Sequence, residues 1–135
     1  MKNNSNSKLL RGLKFWFIVH FLADVFIALP LFFFPVRLLQ IFGWITIDPI
    51  MARLVAAALF GIGIESYLGR NADRNGFVPM LNLKIIWSFF ASLGLLLSIW
   101  AGLFENLTIG WGIFVIFGLF HLLWVYYRIK LQKIK

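Results

Sequence analysis

The sequence predicts an all-α fold: a bundle of four transmembrane helices with a short interfacial helix between helices 1 and 2. Of the 135 residues, 61% are hydrophobic and only 13% are charged, whereas about a quarter of the residues of a soluble domain are charged. The apolar residues also gather in four segments of about 20 residues, the length of helix that crosses a bilayer. We therefore expect one integral membrane domain over residues 1–135.

The boundaries of the four spans are indicated by residues that favour helix ends. Asp48 can accept the free N–H groups of a first helical turn, and Pro49 suits the first helical position. Pro79 is expected to begin the third span in the same way, and Asn106 or Thr108 to cap the fourth. The predicted spans cover residues 15–34, 50–69, 80–104 and 109–127.

The first span and the segment after it need separate arguments. The first span is too long for the apolar region of a signal peptide, so we expect it to remain as a helix, kinked at Pro30. Residues 35–45 are too few to cross a bilayer, and Arg37 and Gln40 share one helical face. With Trp44 as an anchor, this segment predicts an interfacial helix; the alternative is an apolar loop.

The net charge of +8 resides mainly near the two ends of the chain. Basic residues concentrate in the tails 1–14 and 128–135, while residues 3–7 predict a short disordered stretch. The positive-inside rule then places both termini in the cytoplasm, in a multi-pass protein of the cytoplasmic (inner) membrane. Anionic lipids are the expected partners of the tails, and no motif points to nucleic acid. The absence of cysteine excludes disulfides and thiolate metal sites.

Ionisable residues within the predicted spans are the candidate functional residues, because a charge at the bilayer centre costs about 2.5–3.5 kcal/mol. Counting along the helices places His20, Glu65, Lys84 and His121 at one level, about 6–9 Å inside the cytoplasmic boundary. Asp24 lies one turn deeper than His20, on the same face. These five residues predict a cytoplasm-facing polar half-cavity that binds or transports a small ligand, an ion or a proton.

Structural roles are the alternative for the same residues. Lys84 could extend to the headgroups, and Glu65 could pair with Lys84, Arg70 or Arg74. The two histidines could form hydrogen bonds that hold helices together. The two histidines could also be the axial ligands of a haem b, which is a further alternative. Apart from this haem, we expect no cofactor and no metal.

Small residues indicate where helices approach closely. In the second span, Arg53, Ala57, Gly61, Glu65 and Gly69 recur at every fourth position. This face is expected to admit the backbone of a neighbouring helix and so to bring Glu65 inside. Arg53 itself lies about 18 Å along the axis from Glu65, so we expect it to extend outwards or to bond to Asp48.

A second small and polar stripe occurs in the third span. Lys84, Ser88 and Ser92 follow one another at successive turns, so they line one helical face. In both spans, polar residues therefore coincide with small residues rather than with phenylalanine and leucine.

No catalytic constellation is apparent, so an enzyme is the less favoured class. Besides ligand, ion or proton binding, two alternatives stay open: a non-catalytic membrane subunit of a larger complex, and a redox subunit that binds haem or quinone. Partners other than lipid would be a second copy of the chain or another membrane subunit.

The aromatic and proline-rich stretch ALPLFFFPVRLLQIFGW at residues 28–44 is followed by Asp48-Pro49 and the small-rich helix ARLVAAALFGIGIESYLGR. In these features the chain resembles small four-helix membrane proteins of the DoxX-like kind, over residues 13–104. The resemblance implies the four-helix architecture. Some such proteins are membrane subunits of quinone-linked oxidoreductases, but the resemblance assigns no functional residue to a position in this chain.

Overall fold

The computed structural model describes residues 2–133, which form five α-helices and no strand. The helices are α1 (Lys2–Phe33), α2 (Pro35–Ile41), α3 (Pro49–Leu68), α4 (Arg74–Trp100) and α5 (Leu107–Gln132), with a 3₁₀ turn at Gly69–Asn71. All of them except α2 are long and apolar enough to cross a membrane. The predicted all-α four-helix bundle is confirmed, and the chain is a multi-pass membrane protein.

The four long helices alternate in direction, so the start of α1 and the end of α5 lie at the same end of the bundle. We call this the terminal end; it also carries the turn at Gly69–Asn71. The distal end carries α2 and the loops at residues 42–48 and 101–106.

Two of the predicted caps are confirmed. The Asp48 carboxylate accepts hydrogen bonds from the backbone N–H groups of Ile50 and Met51 at 2.8 and 3.2 Å, at the start of α3. Asn106, rather than Thr108, caps α5 through bonds to two first-turn N–H groups. Each cap satisfies donors that a helix start leaves without an intrahelical partner.

The predicted start of the third span was wrong. The Asp73 carboxylate accepts a hydrogen bond from the Gly76 N–H at 2.9 Å, so α4 begins at Arg74 and Pro79 lies inside the helix. A carboxylate accepts hydrogen bonds from the free N–H groups of the first turn, whereas a proline only matches the helical φ, so Asp73 sets the start of α4.

Residues 3–7 are helical rather than disordered. Helix α1 already includes residues 3–7, and α5 continues to Gln132. The basic side chains of Lys8, Arg11 and Lys14 are exposed on α1. A bilayer sets only the minimum length of a span, and a helix that is already nucleated can extend into residues of low helix propensity such as asparagine and serine. Lys135 of the predicted basic tail lies outside the described residues.

The helices pack as two pairs, α1 with α3 and α4 with α5. Small residues allow the close approach of α1 and α3, because Ala28, Ala52 and Ala56 are buried between them. The pairs meet at the terminal end through larger side chains around Trp124, which is fully buried. The members of this aromatic core are Leu13, Phe17, Phe77, Leu81, Trp124, Tyr127 and Leu131.

At the distal end, two loops connect the pairs. The Glu105 N–H donates to the Gly43 carbonyl at 2.7 Å, and the rings of Trp44 and Phe104 lie 4.4 Å apart. Gly43 has a φ of +76°, a conformation that favours glycine. Trp44 thus packs against Phe104. Its predicted role as an interfacial anchor would be additional to this contact.

Helix α2 confirms the short element that the sequence predicted between the first two spans. Its first residue, Pro35, is buried, whereas Arg37 and Gln40 are exposed on the face that the sequence indicated. Leu38 and Leu39 pack against the buried residues between α1 and α3. The apolar side of α2 therefore closes the distal end of that helix pair.

Candidate functional site

Three helices bring four polar side chains into contact in the terminal half of the bundle. Asp24 and His20 come from α1, Ser66 from α3 and Lys84 from α4, and each is at most 8% exposed. We call these four residues the core polar cluster. It includes three of the five residues that the sequence singled out, together with Ser66, which the sequence analysis did not consider.

Short contacts connect all four side chains. His20 Nδ1 lies 3.0 Å from Asp24 Oδ2 and 3.2 Å from Lys84 Nζ. The Lys84 ammonium donates a hydrogen bond to Ser66 Oγ at 2.5 Å, and the Ser66 hydroxyl donates to the Ile62 carbonyl at 2.6 Å. Because Ser66 uses its only proton on the backbone, its oxygen is free to accept from Lys84.

A single nitrogen of His20 faces both an ammonium and a carboxylate. When Nδ1 carries a lone pair it accepts from Lys84. When Nδ1 carries a proton it can no longer accept from Lys84, and the nearby Asp24 carboxylate becomes its favoured partner. Asp24 Oδ2 lies 3.0 Å from Nδ1 and completes no hydrogen bond with any described residue. The presence or absence of one proton on Nδ1 therefore decides whether His20 interacts with Asp24 or with Lys84.

Aromatic rings enclose the cluster on the side of α5. Lys84 Nζ lies 4.9 Å from the centre of the Phe17 ring and 5.2 Å from that of Trp124. The His20 ring makes edge-on contacts with Phe120 and Trp124, both at 5.1 Å between ring centres. The ring faces stabilise the ammonium, and the exclusion of water strengthens the interactions among the polar groups.

Gly63 on α3 provides the space that Asp24 occupies. A Cβ atom at position 63 would lie 2.8 Å from Asp24 Cβ and 3.3 Å from its Oδ2. Real Cβ atoms do not approach so closely, so only glycine permits this separation of α1 and α3. The stripe of small residues that the sequence indicated on this helix includes Gly61 and not Gly63.

The polar stripe of α4 continues from the cluster towards the bundle centre. Ser88 is 2% exposed, and its Oγ lies 3.0 Å from His121 Nδ1 on α5. Ser92 Oγ, one turn further on, is buried and has no hydrogen-bond partner among the described residues. His121 therefore contacts the stripe at the turn after Lys84 rather than the cluster itself.

Glu65 does not occupy the interior position that the sequence predicted. Its side chain is exposed, as are Arg53, Ala57 and Gly61 on the same helical face. The buried face of α3 instead carries Gly63 and Ser66, with Ala52 and Ala56 further along. One residue turns an α-helix by about 100°, so both stripes of small residues are compatible with the sequence. Their regular spacing was the signal that could have identified Ser66.

The ion pairs that were the structural alternative for Glu65 are not formed. Among the side chains that the structure describes, His20 and Asp24 form the only ion pair. Arg70 lies over the Tyr67 ring, 3.8 Å from its centre. The Nε of Arg74 donates to the Leu131 carbonyl at 3.2 Å.

Arg53 is exposed, as one of its two expected roles required, whereas the structural alternative for Lys84 is not met. Lys84 is 3% exposed and faces the cluster, so it does not extend to the headgroups. Arg53 donates from Nε to the Phe32 carbonyl at 3.2 Å, while the Asp48 carboxylate caps α3.

The two histidines belong to different networks, His20 with Asp24 and Lys84, and His121 with Ser88. Within residues 2–133, no group of three His, Asp or Glu side chains is placed to hold a metal ion. The haem alternative is not tested by these contacts and stays a prediction.

Comparisons with family models, with curated proteins and with solved structures find no match for this chain. The DoxX-like resemblance thus stays a prediction about architecture.

Proposed function

We propose that this multi-pass membrane protein binds protons at the core polar cluster and passes them along the interior of the bundle. The observation that supports the proposal is the position of His20 Nδ1 between Asp24 Oδ2 and Lys84 Nζ, at 3.0 and 3.2 Å. A proton on this nitrogen favours the contact with Asp24, and its loss favours the contact with Lys84. Imidazole is suited to this exchange because it changes charge near neutral pH.

A proton fits the cluster better than a metal ion or an organic ligand does. The Lys84 ammonium already supplies a positive charge opposite Asp24, so a second cation would add to a site whose charges are balanced. The side chains also touch one another directly, down to the 2.5 Å contact between Lys84 Nζ and Ser66 Oγ. A proton needs no space beyond these contacts.

The stripe on α4 provides a path away from the cluster. Lys84, Ser88 and Ser92 extend over about 12 Å of helix, and the His121 ring contacts the middle of this stripe. Hydroxyl and imidazole groups can each accept one proton and release another. The unpartnered hydroxyl of Ser92 marks the inner end of the path.

Proton flux into proteoliposomes tests this proposal. His20→Asn and the double variant Asp24→Asn/Lys84→Met are expected to lower the flux at least tenfold, because each removes the exchange at Nδ1. Flux is measured with a trapped pH-sensitive dye under an imposed potential, after gel filtration shows that each variant is folded.

Glu65→Gln is the matched control for these variants. It removes an ionisable group at a similar level of the bundle but outside the cluster, on an exposed face, so its flux should equal that of the wild type. Unchanged flux in His20→Asn, or an equal loss in Glu65→Gln, would disprove proton transfer through the cluster.

The proposal includes an orientation with the terminal end in the cytoplasm and the protein in the cytoplasmic (inner) membrane. It is supported by the exposed basic side chains of α1 and by the positive-inside rule. The chain contains no cysteine, so single cysteines at the exposed positions Asn71 and Thr46 can report on the two ends. In intact cells, a membrane-impermeant maleimide is expected to label Thr46→Cys and not Asn71→Cys. The opposite pattern would reverse the orientation.

A further inference from the structure

The distal end contains a cavity that is separate from the core polar cluster. It has a volume of about 530 Å³ and lies where α1 ends and where α2 and α3 begin. Phe33, Phe34 and Pro35 line one part of it, and Arg37 and Arg53 supply its charges. Phe33 lies nine residues beyond Asp24, or about 13 Å along the helix, so the cavity does not belong to the cluster.

The charge of this cavity selects for an anion. Both ionisable side chains among the residues that line the cavity are arginines, and none of these residues carries a carboxylate. The Nε of Arg53 donates to the Phe32 carbonyl at 3.2 Å. This bond holds the guanidinium at the cavity and leaves its terminal nitrogens available. Guanidinium groups match phosphate in geometry as well as in charge.

The depth of the cavity relative to the membrane and its apolar walls favour a ligand with both a charged and an apolar part. Phe33 and Phe34 are 62% and 60% exposed, so they present apolar surface next to the hydrocarbon region. Arginines at the end of a membrane span lie at the level of the headgroups. The cavity is therefore polar where headgroups lie and apolar where acyl chains lie.

We propose that this cavity binds one phospholipid of the distal leaflet. The phosphate lies between Arg37 and Arg53, and an acyl chain lies along Phe33 and Phe34. This site is distinct from any general attraction of anionic lipid to the basic residues at the terminal end, and it does not depend on proton transfer by the core polar cluster.

Thermal stability of the delipidated protein in neutral detergent tests the site. Short-chain phosphatidylglycerol is expected to raise the melting temperature in a saturable way. Two matched probes separate the parts of the ligand: the diacylglycerol with the same chains but no phosphate, and inorganic phosphate without chains. Neither is expected to stabilise the protein. Equal stabilisation by the diacylglycerol would show binding without the arginines, and equal stabilisation by phosphate would show a site for a soluble anion; both overturn the proposal.

Variants then locate the effect. Arg37→Gln, at an exposed side chain, is expected to raise the half-saturating lipid concentration about tenfold, as for the loss of one charged hydrogen bond. Arg37→Gln/Arg53→Gln should abolish saturation. Arg11→Gln removes an exposed guanidinium at the terminal end and should leave the titration unchanged. If Arg11→Gln weakens binding as much as Arg37→Gln does, the lipid is bound elsewhere and the proposal fails.

Discussion

Replacement of Lys84 by methionine is expected to destabilise the folded protein by about 3–5 kcal/mol, the usual cost of leaving a buried charge uncompensated, because the ammonium is the nearby positive charge that balances the Asp24 carboxylate. Lys84 is 3% and Asp24 8% exposed, so the carboxylate cannot regain its solvation in the folded state. Methionine keeps a flexible apolar side chain of similar length beside Phe17 and Trp124. The loss therefore reports mainly on the charge. Unfolding in mixed detergent micelles, followed by circular dichroism, measures it.

The double variant Asp24→Asn/Lys84→Met distinguishes a charge effect from a packing effect. Removing both charges should recover most of the stability lost in Lys84→Met, because no buried charge remains uncompensated. Glu65→Gln, at an exposed position, should change the free energy of unfolding by less than about 0.5 kcal/mol. If the double variant is less stable than Lys84→Met, the two charges do not compensate one another and the account of the cluster is wrong.

Substitution of Gly63 by alanine is expected to destabilise the protein by about 1–3 kcal/mol, the typical cost of adding a methyl group to a filled interior. The new Cβ would lie 2.8 Å from Asp24 Cβ, so α1 and α3 must move apart. The shift should displace Asp24 and lower the proton flux as well. Melting temperature and flux of the same preparation measure both effects.

Gly61→Ala is the matched control, because it makes the same chemical change two residues away. No atom lies within 4 Å of the Cβ that it would add, and the position is exposed. Alanine is the better helix former, so the variant should be as stable as the wild type or slightly more stable. Equal destabilisation by the two substitutions would contradict the close approach of Asp24 to Gly63.

The spans could be predicted because each depends on local composition. About 20 apolar residues in a row require a helix wherever a bilayer is present, since backbone groups cannot bond to lipid. The start of α3 was equally local, because Asp48 bonds to N–H groups two and three residues further on. The start of α4 was misplaced because two local signals, Asp73 and Pro79, competed within six residues.

The candidate site was only partly predictable. His20 and Asp24 lie one turn apart on one helix, so their contact follows from helical geometry. Lys84 reaches His20 from 64 residues away along the chain, and counting residues from the helix ends placed the two at a similar level. Depth follows from the 1.5 Å rise per residue, but the direction of a side chain around the helix axis does not follow from depth.

The composition and order of residues alone determined that this is a four-span helical membrane protein with an ionisable residue at a similar level of each span. That information is local, because the bilayer imposes the same requirement on each span separately. Tertiary structure decided which face of α3 turns inwards, and so placed Ser66 rather than Glu65 beside Lys84. It also decided that Asp24 lies against Gly63. Both faces of α3 carry small residues, and only packing against α1 distinguishes them.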